Sequence, residues 1–226
     1  MPQWFFRRRV VVPLPPGTLP NVAVLRREEF DEIEFEAAGS GDHEAAARRM
    51  INLAQTGIQT ESMPRSEAFL RAGEQWLLAD DPAAAESGFR LAIADGGPVF
   101  ADPRVPLARA LFMLGRSAEA QSLLDELKAE RPEDPRICDL VAELLVERSD
   151  LRGALDWATA GVQLCLQRQN RTAPDAVGTA RADGNGADKA GPDEAESELR
   201  LLLSLRYRIR NDLGLPEDTY DALLDE

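Results

Sequence analysis

Residues 66–99 read SEAFLRAGEQWLLADDPAAAESGFRLAIADGGPV, and the stretches 101–134 and 135–168 repeat their arrangement. In the first, Phe69, Ala72, Gly73 and Trp76 recur at spacings of three and four, the period of one helix face. Asp80-Asp81-Pro82 breaks the run, and Ala85, Phe89 and Ala92 mark the inner face of a second helix. In the second stretch Leu107, Ala108 and Leu111 lead to a turn at Gly115, then Ala120, Leu124 and Leu127, with Pro132 ending the unit. In the third, Cys138, Val141, Ala142 and Leu145 precede a turn near Ser149-Asp150, followed by Ala154 and Ala158. The small residues have distinct tasks. Gly73, Ala108 and Ala142 let the two helices of a unit approach, and Ala85, Ala120 and Ala154 let neighbouring units stack. Trp76, Phe89, Leu111 and Leu124 fill the remaining volume, so Trp76 and Phe89 are expected to be buried. One such hairpin cannot bury its own apolar face, and stacking supplies the core.

This set resembles the tetratricopeptide repeat, a helix–turn–helix unit of about 34 residues. The resemblance covers about 100 of the 226 residues. It implies an all-α fold, an α-solenoid of about three repeats, with an N-terminal arm and a C-terminal capping helix at its flanks. Arg104 stands where the family prefers a large apolar residue, and Gly161 and Leu166 where alanine and proline are usual. One extra residue near Gly96-Gly97-Pro98 separates the first two units. A degenerate fourth unit precedes them. Phe30, Ile33, Ala37, Gly41, Ala46, Met50 and Leu53 keep the phase, with Glu34 where a small apolar residue belongs.

The resemblance also implies that the first helix of each unit lines a concave groove. Carried onto this chain, the groove positions are Glu67, Leu70, Glu74, Leu77 and Leu78, then Asp102, Val105, Arg109, Phe112 and Met113. The third unit gives Arg136, Asp139, Glu143, Val146 and Glu147. Leu77, Phe112 and Met113 make an apolar centre with acids on both sides and Arg109 and Arg136 within it. Such a groove suits an amphipathic helix or an extended apolar peptide that carries basic residues. The competing expectation is that several of these side chains pack under the capping helix. Repeats that clamp the C-terminal carboxylate of chaperones place Lys and Asn here, where this chain has Leu70 and Glu74, so no clamp activity is expected.

Outward from the repeats, residues 1–26 form a Pro-rich arm with short β-like runs, and residues 27–65 a helical segment containing that degenerate unit. Residues 66–169 hold the three repeats. Residues 170–193 have almost no large apolar side chain and read as a disordered linker. Residues 194–226 read as a capping helix closed by Gly214, with Pro216 opening a short acidic final helix.

Composition narrows the function. With 26 basic and 40 acidic residues the net charge is −14, which argues against general binding to nucleic acid or anionic membranes. The N-terminal Arg7-Arg8-Arg9 is followed by only three valines before Pro13, so a secretory signal is not expected. No run approaches the ~20 apolar residues of a membrane span. A cytoplasmic location follows, with Cys138 and Cys165 as reduced core thiols. One histidine, His43, and two distant cysteines argue against a zinc site or a histidine triad. Glu28-Glu29-Phe30-Asp31-Glu32 lacks the alternating ligands of a calcium loop, and Gly184-Asn185-Gly186 follows no strand. No metal, cofactor or catalytic residue is therefore assigned. A non-enzymatic interaction scaffold is the expectation. The alternative is a regulatory subunit acting with nucleic acid or a transcription complex through Arg7-Arg8-Arg9 and Arg200, Arg206, Arg208 and Arg210.

Overall fold

The computed structural model describes residues 23–172 and 192–224. Expectations for the arm before Ala23 and for most of the linker lie outside these residues. Among the described residues nine α-helices follow one another: α1 (Arg27–Ser40), α2 (His43–Thr56), α3 (Arg65–Leu78), α4 (Pro82–Asp95), α5 (Arg104–Met113), α6 (Ser117–Ala129), α7 (Pro135–Glu147), α8 (Leu151–Thr172) and α9 (Pro192–Asp212). A short 3₁₀ turn spans Asp221–Leu224. Among the described residues β structure is limited to a single bridge between Val24 and Ile58. Each odd-numbered helix packs on the next to form hairpins α1/α2, α3/α4, α5/α6 and α7/α8. The hairpins stack through α2 on α3, α4 on α5 and α5 on α7, and α9 packs on α8 at the end. This is an α-solenoid whose continuous core runs from Leu25 to Ile209.

The same turn closes three first helices. Asp80, Gly115 and Ser149 sit in the left-handed region at φ 57°, 76° and 63°. The amides of Asp81, Arg116 and Asp150 donate to the carbonyls of Trp76, Leu111 and Leu145 at 3.0, 2.9 and 2.9 Å. These 6→1 bonds satisfy carbonyls that a helix end would otherwise leave unpaired. The Asp81 and Asp150 side chains then accept from the amides of Ala84 (2.9 Å) and Gly153 (3.0 Å), capping α4 and α8. Gly41, at φ 77°, ends α1 with a simpler bond from its amide to Ala37 O at 2.7 Å.

The tightest crossing lies inside the α3/α4 hairpin. A Cβ on Gly73 would stand 2.5 Å from Phe89 Cε1, and one on Gly88 would stand 3.1 Å from Gly73 Cα. Two glycines thus bring the backbones together, and the Phe89 ring, fully buried, fills the space over Gly73. Ala85, Ala120 and Ala154 are all fully buried. Trp76 departs from expectation. It packs against the core but is only half-buried, and the Arg48 guanidinium lies over its ring at 5.8 Å.

Glu34, out of place by its size in the small position of the first hairpin, is neutralised across the hairpin boundary. Arg71 Nε and Nη2 donate to its two carboxylate oxygens at 2.7 and 2.6 Å, and Nη2 also reaches Asp31 Oδ1 at 2.6 Å. Burial would lower the Arg71 pKa, but these bonds outweigh it and hold the guanidinium firmly charged. Arg104, likewise anomalous, pairs with Asp102 and Glu130, both at 2.7 Å.

At the C-terminal end α8 runs on through Thr172, so the helix extends past the expected start of the linker, and α9 begins at Pro192. Gly161, unusual for the family, is explained here. A methyl group would meet Leu202 Cδ2 at 2.8 Å and Cys138 Cβ at 2.9 Å, where α7, α8 and α9 converge. Helix α9 ends like the first helices of the repeats. Gly214 has φ 67°, and the amides of Gly214 and Leu215 donate to Asn211 O and Arg210 O at 3.0 and 2.9 Å. The segment after Pro216 forms the short 3₁₀ turn rather than a final α-helix, because its acids are engaged elsewhere. Arg206, 3% exposed, donates to Asp218 and Asp221 and, at 3.1 Å, to Thr159 Oγ1. Tyr220 lies over its guanidinium at 4.8 Å, and Arg210 joins the same two carboxylates.

Two stability predictions follow from these constraints. Gly73→Ala adds helix propensity yet should destabilise the chain by about 1–3 kcal/mol, because the methyl group is forced into the Phe89 ring. Ser149→Gly should stabilise it by about 0.5–1 kcal/mol by relieving a left-handed L-residue. Urea denaturation followed by circular dichroism measures both, and opposite signs would refute the packing and turn arguments separately.

Candidate functional site

The recurring turn gives the first helices a common register. Counting back from Gly41, Asp80, Gly115 and Ser149, the residues six positions earlier are Phe35, Glu74, Arg109 and Glu143. Those two positions earlier are Gly39, Leu78, Met113 and Glu147. These two rows cross the stacked hairpins on one face. Phe35 is 82% exposed, Leu78 62% and Met113 47%, so large apolar side chains stand in water along it. Leu77, Phe112 and Val146, between the rows, are half-buried.

Glu74 defines the electrostatics of this face. Solvent reaches its side chain, yet protein atoms crowd it. That partial desolvation, with the negative charges of Glu67 and Glu34, pushes its carboxyl up to about 7 against the pull of Arg71. Arg71 does not bond Glu74, since its donors are spent on Glu34 and Asp31. Across the face, burial and then Glu143 raise the Asp139 carboxyl as well. Arg109 bridges α5 and α7 through Glu147 at 3.0 Å. The Arg148 guanidinium covers Phe112 at 5.3 Å. The centre is thus an apolar floor crossed by one ion pair, with incompletely neutralised acids on both sides.

Several residues assigned to the groove lie elsewhere. Leu70 and Val105 are buried, 2% and 5% exposed, because that register position lies where one hairpin abuts the next and both enter the common core. Glu67 is also buried. Its carboxylate accepts from the Phe100 amide at 2.8 Å, while Ser66 Oγ donates to Pro98 O at 2.8 Å, so the pair ties down the loop between hairpins. Asp102 is held by Arg104. Arg136 is exposed, bonded to Asp134 at 3.0 Å and stacked on Phe100 at 5.2 Å, toward the edge of the face. Glu74, Leu77, Leu78, Arg109, Phe112, Met113, Asp139 and Glu143 remain solvent-accessible. Phe35 was missed. Carrying the phase back 39 residues from Glu74 would have found it, but Glu34 disguised the unit.

The remaining candidates are accounted for structurally. His43 Nδ1 lies 2.9 Å from Gln75 Oε1, joining α2 to α3. Burial, with neighbouring acids, pushes the Cys138 and Cys165 thiols up to about 11 and 12, which makes them inert at neutral pH. Among the described residues no group of three or more His, Cys, Asp or Glu is placed to hold a metal ion. No described helix is long and apolar enough to cross a membrane. Of the terminal arginines, Arg206 and Arg210 are occupied by Asp218 and Asp221, and Arg200 pairs with Glu196 at 3.0 Å.

Comparison with known protein families agrees with this architecture. Residues 77–144 match the model of the tetratricopeptide repeat. The match runs from the last turn of α3 through α4, α5 and α6 and most of α7. No curated protein and no solved structure matches the chain.

Proposed function

The chain is a tetratricopeptide-repeat protein, and on that premise we propose that it is a non-enzymatic adaptor whose concave face holds a peptide or helix carrying both basic and apolar residues. Tetratricopeptide repeats generally mediate protein–protein interaction, and the fold is typically a scaffold rather than an enzyme. The observation that carries the finer reading is the row of Glu74, Arg109 and Glu143 beside exposed Leu78 and Met113. An apolar side chain of the ligand covers Leu78 and Met113, and a cationic group next to it meets Glu74. Arg109 is held by Glu147 and so does not offer a free cation to an acidic ligand. A groove of this charge favours basic peptides and disfavours acidic tails.

A labelled amphipathic helix of Leu and Arg is a direct probe, read by fluorescence anisotropy. Binding to the full chain should be micromolar, and Leu78→Asp or Met113→Asp should weaken it at least tenfold without loss of helicity. Both positions are exposed, so folding is preserved. Unchanged affinity in both variants would remove the groove from consideration.

The Glu74 carboxyl adds a pH signature. A cationic ligand group needs the ionised form, and with Glu74 titrating at about 7 that form grows as pH rises from 6 to 8. Affinity should therefore increase over that interval, by up to about tenfold, and level off above it. Glu74→Gln should abolish the slope. A slope that survives in this variant would place the titrating group elsewhere.

A further inference from the structure

The chain contains a segment with the chemistry this groove selects. Residues 1–22 hold Arg7, Arg8 and Arg9 and no acidic residue, within a chain of net charge −14. Trp4, Phe5 and Phe6 precede the arginines and Val10, Val11 and Val12 follow them. We propose that residues 4–12 dock in the groove of their own chain, as an internal ligand that competes with the partner. This rests on reading the groove as a peptide site.

The point of entry and the length of chain both fit. Ala23 O accepts from the Ile58 amide at 2.8 Å, and Leu25 O accepts from Thr60 Oγ1 at 3.0 Å. Arg27 Nε donates to Ser62 O at 3.3 Å. The chain thus joins the described part beside the loop that leads into α3, at the edge where α1 and α3 begin. From Arg65 to Glu74 along α3 is about 14 Å at ~1.5 Å per residue. Residues 13–22, with four prolines, reach about 31 Å at ~3.1 Å per residue, more than enough to bring Arg7–Arg9 beside Glu74. Residues 4–12 in extended form cover about 30 Å. Neighbouring helices lie about 10 Å apart, so that span crosses the face from Phe35 on α1 to Glu143 on α7.

Charge supports the same occupant. The guanidinium groups of Arg71, Arg104, Arg116 and Arg206 are each engaged by two carboxylates, whereas Glu74 and Glu143 take part in no ion pair among the described residues. Three adjacent arginines flanked by aromatic and β-branched residues supply the missing cations and cover Phe35, Leu78 and Met113. Tethering raises their local concentration toward the millimolar range, so even a weak intrinsic affinity keeps the groove occupied.

The test uses the full chain with a photo-crosslinking phenylalanine analogue at Phe6, and as free probes a labelled peptide of residues 2–12 and the Leu/Arg helix. Illumination should attach Phe6 to residues on α3 and α5 of the same molecule. The triple change Arg7→Glu, Arg8→Glu and Arg9→Glu should erase those products and raise the affinity for the free arm peptide at least tenfold. Adding Glu74→Gln and Glu143→Gln to the triple variant should reverse that gain. Products confined to α4 and α6, or products only between two chains that vanish on dilution, would overturn docking within one chain. If the Leu/Arg helix binds the original and triple-Glu chains equally and no groove product forms, the internal ligand is refuted and the groove reading stands. If neither probe binds either chain, both fall.

Discussion

Three first helices end in the same left-handed residue and the same 6→1 hydrogen bond, at Asp80, Gly115 and Ser149. That turn sets which residue begins the returning helix and therefore which side chains of the first helix look inward and which look out. Because the turns fall 35 and 34 residues apart, the same positions recur on the same face, and a surface is written across hairpins that are far apart in sequence. Asp80 and Ser149 hold this conformation against the steric penalty of an L-residue. Side-chain packing on either side of the turn outweighs that penalty, so the register is maintained by the stack rather than by local preference.

The packing then varies from hairpin to hairpin within the fixed register. In α3/α4 two glycines admit a phenylalanine. The equivalent positions of the next hairpin hold Ala108 and Leu124, and those of the last hold Ala142 and Ala158, all buried. Large is set against small in the first two, while in the last hairpin the space beside Gly161 is taken by Leu202 from α9. Helix α9 therefore completes the final hairpin from outside and ends in the recurring turn at Gly214. The buried arginine cluster fixes that end. Hydrogen bonding from Arg206, aided by the Tyr220 amide, holds the Asp218 carboxyl down to about 2 against the cost of desolvation. The contribution of Asp218 to stability is fully present above its ordinary value and is lost only as pH falls toward about 2.

The hairpins and their crossings were legible because small residues recur at helical spacing, and that pattern has one economical explanation. The solvent-accessible positions of the first helices were legible because they are tied to the turn. What the sequence concealed depended on which neighbour arrives at a given position. Leu70 and Val105 share a register with Asp31 and Asp139, but in the middle of the stack a hairpin abuts that position and closes it. Glu67 looked like a groove acid and is instead held by the Phe100 amide in the loop between hairpins. Phe35 was hidden because Glu34 marked the first unit as degenerate, and the groove positions were carried only onto the three repeats after it. Only a partner 37 residues away, Arg71, makes Glu34 acceptable there. The arginines of α9 looked like a basic surface, and two of them are internal, because Asp218 and Asp221 fold back onto them.

Under the proposed function, the distribution of charge gives the groove its direction of preference. This chain has many more acids than bases, and its structural arginines are spent in multiple carboxylate bonds that hold hairpin to hairpin. Glu74 lies near one of them, yet Arg71 turns toward α1, and the carboxyl of Glu74 is left desolvated among like charges. Its ionised form is thus less stable in the folded chain than in water. That penalty stands at any pH above about 7 wherever no cation faces Glu74, and under the proposed function a cationic ligand group relieves it. In the proposed complex, part of the affinity for a basic ligand then arises from removing a repulsion already present, and a neutral apolar peptide of the same shape would leave the repulsion in place. Discrimination between the two follows from the missing partner of Glu74 more than from the apolar contacts, which both ligands could make equally well.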